Sequence, residues 1–350
     1  MQRLPTTQPQ IANYYLGYKL DPDRALSSAT TLSGLDLGGL VVGMRHRYND
    51  DLSVYSENNY DMFGVQRSLT ATYGVNYTPT DKWSVGGAIE YGDVTDTNGI
   101  ELERVAVSAS ISYKDPENVS WQVKGESRFE DSTDPTKDRD TYLLSAGLTI
   151  KYNENWRFLG NIDAAISNSN QASILNGDYI EASIGYAYRP TDNDRFNALI
   201  KYTYLYDLPS INQVNASGAA LGPAQRSHIL SADVSYDFNQ YLTVGAKYGF
   251  RIGEVSTTRT SNNFVKSSAH LGVLRADFHV VKNWDVLLEA RALHTPEIDT
   301  TSYGALIGVY RHVGENFKIG VGYNFGQFSD NIADLTHDDG GVFINLVGKF

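Results

Sequence analysis

Residues 65–91 read VQRSLTATYGVNYTPTDKWSVGGAIEY. Leu69, Ala71, Tyr73, Val75 and Tyr77 occupy alternate positions, with Ser68, Thr70, Thr72, Gly74 and Asn76 between them. A period of two over this length marks a strand with one apolar and one polar face. Pro79-Thr80-Asp81 supplies a turn, after which Trp83, Val85, Gly87, Ile89 and Tyr91 resume the apolar face. The stretch is therefore a β-hairpin of long strands.

The unit recurs along the chain. Val105, Val107, Ala109, Ile111 and Tyr113 turn at Asp115-Pro116-Glu117-Asn118 and return through Trp121, Val123, Gly125 and Phe129. Further short turns fall near 153–155, 191–194, 239–240, 282–283 and 314–316. Short and long connections alternate, as in an up-and-down meander whose short turns share one end. Aromatic residues flank those turns, among them Tyr77, Trp83, Tyr113, Tyr152, Trp156, Tyr188, Phe196, Trp284 and Phe317. Such a row is the interfacial girdle of a membrane barrel. A soluble barrel is disfavoured because Lys124, Glu126 and Arg128 occupy successive inward positions, and a dry core cannot hold them.

Composition agrees. Among 350 residues there are 24 Tyr, 31 Gly and no Cys, with a mean hydropathy of -0.35. No segment is long and apolar enough for a membrane-spanning helix. Without Cys there is no disulfide, thiolate metal site or lipid-attachment residue. A net charge of -12 argues against nucleic acid as a partner. Residues 1–10 lack a signal-peptide core and read as an N-terminal linker or an expression-derived start, and residues 11–350 as a single transmembrane β-barrel. Val65 to Phe350 yields fifteen strands, a hairpin around Asn49-Asp50-Asp51 two more, and Ile11 to Leu20 one more. The expectation is an all-β, antiparallel barrel of eighteen strands, with sixteen second.

The chain ends VFINLVGKF, with Val342, Ile344, Leu346 and Phe350 on one face. This resembles the last strand of Gram-negative outer-membrane β-barrel proteins, whose terminal aromatic is read by the barrel-assembly machinery. The resemblance implies that Phe350 is an assembly signal. Residues 192–207 and 311–350 are similar to the C-terminal barrel domains of large modular outer-membrane proteins, which would imply upstream domains or a periplasmic partner. It also implies an integral outer-membrane location with periplasmic termini, and brings no catalytic residues.

The strand phase assigns Lys124, Glu126, Arg128, Lys151, Arg157, Asp163, Glu181, Lys201, Asp233, Lys247, Arg251, Arg275, Asp277, Glu289, Arg291 and Lys318 to the pore lining. With Arg104, Arg189, Lys349, Glu90, Asp237 and Asp285, the wall carries thirteen bases against nine acids. So many ionisable groups require water. The outer loops 92–101, 130–140, 254–263, 294–300 and 329–339 hold an excess of acids that would meet lipopolysaccharide through divalent cations. Asp330, Asp334, Asp338 and Asp339 are a weak metal candidate, since their spacing is not that of an EF-hand loop. No His pair has metal-ligand spacing and no nucleophile elbow accompanies His337, so neither cofactor nor enzyme activity is expected.

Two functions fit: a porin-like passive channel for small polar solutes, or a membrane anchor for a larger surface or periplasmic protein. For the channel, the nearly uncharged segment 207–225 is expected to dip inward and narrow the pore, and the thirteen-to-nine lumen to give weak anion preference.

Overall fold

The computed structural model describes residues 12–19, 39–61, 67–95, 101–135, 138–169, 178–206, 224–257, 263–281, 283–314, 317–326, 328, 332 and 340–348. Within them lie eighteen strands: β1 (Ala12–Lys19), β2 (Gly39–Arg47), β3 (Leu52–Asp61), β4 (Arg67–Thr80), β5 (Trp83–Thr95), β6 (Glu101–Lys114), β7 (Val119–Ser132), β8 (Arg139–Lys151), β9 (Trp156–Ser169), β10 (Tyr179–Tyr188), β11 (Phe196–Tyr206), β12 (Ala224–Asn239), β13 (Leu242–Ser256), β14 (Val265–Val281), β15 (Trp284–Thr295), β16 (Thr300–Val313), β17 (Phe317–Asn324) and β18 (Gly341–Gly348). Each pairs antiparallel with the next in sequence. The strand number is the one the sequence leads to. No β18–β1 pairing falls among the described residues.

Turn chemistry fixes the register. The Asn49 side-chain oxygen accepts from the Asp51 and Leu52 amides at 2.9 and 2.7 Å, and that of Asn153 from the Asn155 and Trp156 amides at 2.9 Å. Asn239 accepts from the Tyr241 amide at 2.8 Å. These are Asx turns, which hold two strands in step with one side chain. Asn283 and Gly314 sit at φ 80° and 66°, a region Asn and Gly enter at low cost.

One face of the sheet carries the large apolar residues outward. Leu69 is 49% exposed and its neighbour Thr70 6%. Val107, Ile184, Val244 and Leu346 are likewise exposed on that outer face. A surface this apolar needs lipid beside it. Near the short turns, Trp83 packs on Tyr113 and Trp121 with ring centroids 5.0 and 5.6 Å apart, and Trp156 on Tyr188 at 4.6 Å. A second aromatic level lies toward the long loops, where Phe250 meets His270 at 4.6 Å. Tyr202 and Tyr248 hydroxyls lie 2.7 Å from Nδ1 of His228 and His270. Two belts separated by an apolar band define the membrane slab.

Candidate functional site

The inner face is the candidate solute pathway; by register the sixteen ionisable residues share the face opposite the exposed apolar set. Their environments differ from one side of the wall to the other.

On β5 to β8 the charges pair with one another. Arg104 contacts Glu130 at 2.6 Å and Glu90 at 3.9 Å, and Arg139 grips the same Glu130 carboxylate from the far side. Glu130 is 2% exposed, a rim acid by sequence that the β6–β7–β8 registers instead seat between two guanidinium groups. Arg128 meets Glu126 at 2.7 Å and Lys124 the same residue at 3.6 Å. The Glu126 pairs run along β7 itself, whereas the pairs from Arg104 and Arg139 to Glu130 cross strands and also hold register.

Toward the short turns, β6 to β11 line an open cavity of about 810 Å³. Lys151, Arg157 and Lys201 line it with Gln122, Thr149, Asn161 and Ser183. Lys151 is engaged by Glu117 at 2.6 Å. At its mouth Lys82 donates to Asp115 at 2.7 Å, which holds the Asp115 carboxyl below the usual carboxylate range and the Lys82 amine above its own. Arg189, assigned to the lumen by phase, stands instead in the β10–β11 turn, paired with Asp194 at 3.1 Å.

The wall formed by β11 to β16 is different. Leu205, Ile229, Leu271 and Val273 point inward and are buried, with Leu205 at 1% and Leu271 at 0% exposure. Phe328 and Ile332, from the connection between β17 and β18, lie on top of them. Ile332 sits over Gly249, where a Cβ would stand 3.2 Å from it, and Phe328 beside Gly304. Nη1 of Arg291 donates to the Phe328 carbonyl at 3.0 Å. Arg291 and Arg275 both bind Glu289, at 2.5 and 2.6 Å. Arg251 is 3% exposed, with Nε donating to Ser227 Oγ at 3.0 Å and Nη2 without a hydrogen-bond partner among the described residues. Phe328 and Ile332, described residues of the last long loop, therefore lie inside the lumen. By sequence this loop belongs to the acidic outer rim, but two of its apolar residues are inside.

At the short-turn end of the same wall, Asp285 accepts from Lys318 at 2.6 Å and lies 2.7 Å from His279 and 2.8 Å from His312. These histidines are far apart in sequence, and only the β14–β15–β16 registers bring them to one carboxylate. Of the other assigned groups, Asp163 and Glu181 face each other across β9–β10 and Asp233 and Lys247 across β12–β13, while Asp277 stands on β14. Asp330, Asp334, Asp338, Asp339, Lys349, Phe350 and the segment 207–223 lie outside the described residues. Among the described residues no group of three or more His, Asp or Glu is arranged to hold a metal ion.

The fold matches those of known outer-membrane proteins. A copper transporter, OprC, superposes with a TM-score of 0.51 at 10% identity over 88% of this chain and 62% of its own. The chain thus spans less than two thirds of that transporter's length. The ferric yersiniabactin uptake receptor FyuA from Yersinia pestis aligns with a TM-score of 0.47 at 14% identity, over 98% of this chain and 68% of the receptor. A family model described as "Putative MetA-pathway of phenol degradation" matches residues 123–266, from β7 to the start of β14. No curated protein matches the chain in sequence. An eighteen-strand meander with an apolar belt outside and charges inside is a Gram-negative outer-membrane β-barrel.

Proposed function

We propose that the protein is a passive, water-filled channel for small polar solutes, narrowed on one side by the connection between β17 and β18. The observation that supports this reading most directly is the inner wall of β6 to β11, where Lys151, Asp115, Arg157 and Lys201 line a cavity of about 810 Å³ and need water to hydrate them. An eighteen-strand barrel is wide enough to leave an aqueous path unless something fills it. The inserted residues lie against β11 to β16. In this reading the termini and short turns face the periplasm and the long loops the exterior, as barrels of this class are built. The acids of the long loops would then meet lipopolysaccharide, bridged by divalent cations.

Purified protein reconstituted in planar bilayers should give stepwise KCl currents with weak anion preference. A heat-modifiable, correctly inserted barrel that passes no current would favour the anchor role.

A further inference from the structure

The cavity between β6 and β11 has an electrostatic imbalance that pairing does not remove. Lys151 and Asp115 are each neutralised by a neighbour, Glu117 and Lys82. Arg157 and Lys201, which also line the cavity, form no ion pair among the described residues. Arg157 lies opposite Ala187 and Lys201 opposite Gly185, both on β10, so the two cations approach the same part of the wall from either side of that strand. With strands spaced as in any sheet their Cα atoms stand roughly 12 Å apart, a gap that two such long side chains can close on one small anion. Gly185 stands between them, flanked by the Leu159 and Leu199 side chains, which form the apolar part of the same wall.

The neutral lining has its own pattern. Thr149, Asn161, Ser183 and Gln122 present hydroxyls and amides to the same space. One inward position further toward the long loops stand Asp163 and Glu181, which would repel an anion but accept from hydroxyls. The site is thus polarised, cationic near the short turns and hydrogen-bonding above. A volume of this size suits a small organic molecule. A guanidinium fork takes a carboxylate through two parallel hydrogen bonds.

We infer that this cavity is a binding site for a small hydroxylated organic carboxylate, with Arg157 and Lys201 holding the carboxylate and the amide and hydroxyl side chains its hydroxyl groups. The inference rests on the lumen being open to water, as the channel reading requires.

Gluconate is the probe, with glucose as the neutral control and acetate as the control without hydroxyls. In planar bilayers gluconate should reduce the KCl current saturably, with glucose and acetate at least tenfold weaker. In the Arg157→Gln/Lys201→Gln double variant the half-blocking concentration should rise at least tenfold while KCl still conducts. A conducting channel that gluconate does not block, or blocks equally in the double variant, overturns the site. If the double variant does not insert, the wild-type comparison decides: gluconate, glucose and acetate acting alike overturn the proposal. If the wild type passes no current, calorimetry on the refolded protein in detergent separates the two readings. Gluconate heat there keeps the site while the channel fails, and its absence removes both.

Discussion

The walls formed by β5 to β10 and by β11 to β16 are built from the same hairpins, yet they solve different problems on their inner face. The first keeps its charges paired, Arg104 with Glu130 across strands and Arg128 with Glu126 along β7, and opens into a cavity toward the short turns. The second turns Leu205, Ile229, Leu271 and Val273 inward and covers them with Phe328 and Ile332. An apolar residue on a wetted wall loses the benefit of burial, so a patch of four is stable only when something sits on it. The difference shows that two apolar residues of the β17–β18 connection cover the inner face of one wall and not the other.

That contrast can be broken most strongly by removing the cover. Deleting residues 327–339 should raise single-channel conductance several-fold, whereas deleting 96–100, between β5 and β6, should leave it nearly unchanged. Deletion of 210–222 tests the uncharged loop in the same recording, with a rise if that segment also narrows the pore.

Substitutions sharpen the comparison. Phe328→Ala should cost about 3 kcal/mol in urea unfolding, as for a large buried side chain. Leu159→Ala, in the open cavity, should cost well under half of that, because Leu159 is already partly exposed. Val107→Arg and Val244→Arg, one on each wall, should both cost about 2 to 4 kcal/mol near mid-bilayer, since the lipid faces are alike where the inner faces differ. Equal small costs at these positions, with spin labels there open to water and labels at Thr70, Ser108 and Lys247 in lipid, would reverse the assigned phase.

The smallest effect lies at the cavity mouth. Lys82 holds the Asp115 carboxyl below its ordinary pKa of 3.8, and Asp115 raises the Lys82 amine above 10.5. The folded carboxyl titrates below the unfolded one, so its stabilisation is present above about pH 4 and lost as pH falls through the folded value. The amine titrates above its unfolded value, so its share is present below about pH 10 and lost on further rise. Lys82→Ala should flatten the acid limb of the thermal-stability curve slightly, and a curve indistinguishable from wild type would show the pair to be fully screened.

The barrel was legible in the sequence because each membrane-facing position alternates with a polar one over long strands, as in Leu69 to Tyr77 and Trp83 to Tyr91, and because Asn and Gly mark the turns. The phase that separates lipid from lumen follows from the same alternation. What the sequence hides is pairing between distant strands. Glu130 reads as one of a run of loop acids with Asp131 and Asp134, and only register brings Arg104 and Arg139 to it. Phe328 and Ile332 stand in a stretch dominated by Asp, with no period of two to announce a strand. The clue lay in their partners: Leu205, Ile229, Leu271, Val273 and Leu293 occupy inward positions that an aqueous wall would give to polar residues. They lie on four different strands, so no local window shows them as one patch.

The absence of Cys from these 350 residues allows the position of Ile332 against Gly249 to be tested by a single cross-link. A Cβ at position 249 would lie 3.6 Å from the Cβ of Ile332, within the range a disulfide spans. In the Gly249→Cys/Ile332→Cys variant, folded in membranes and then oxidised, non-reducing electrophoresis should show a near-complete, reductant-reversible shift, with neither single variant shifting. Two free thiols that stay open to a water-soluble maleimide after oxidation would place the connection outside the lumen and contradict the account.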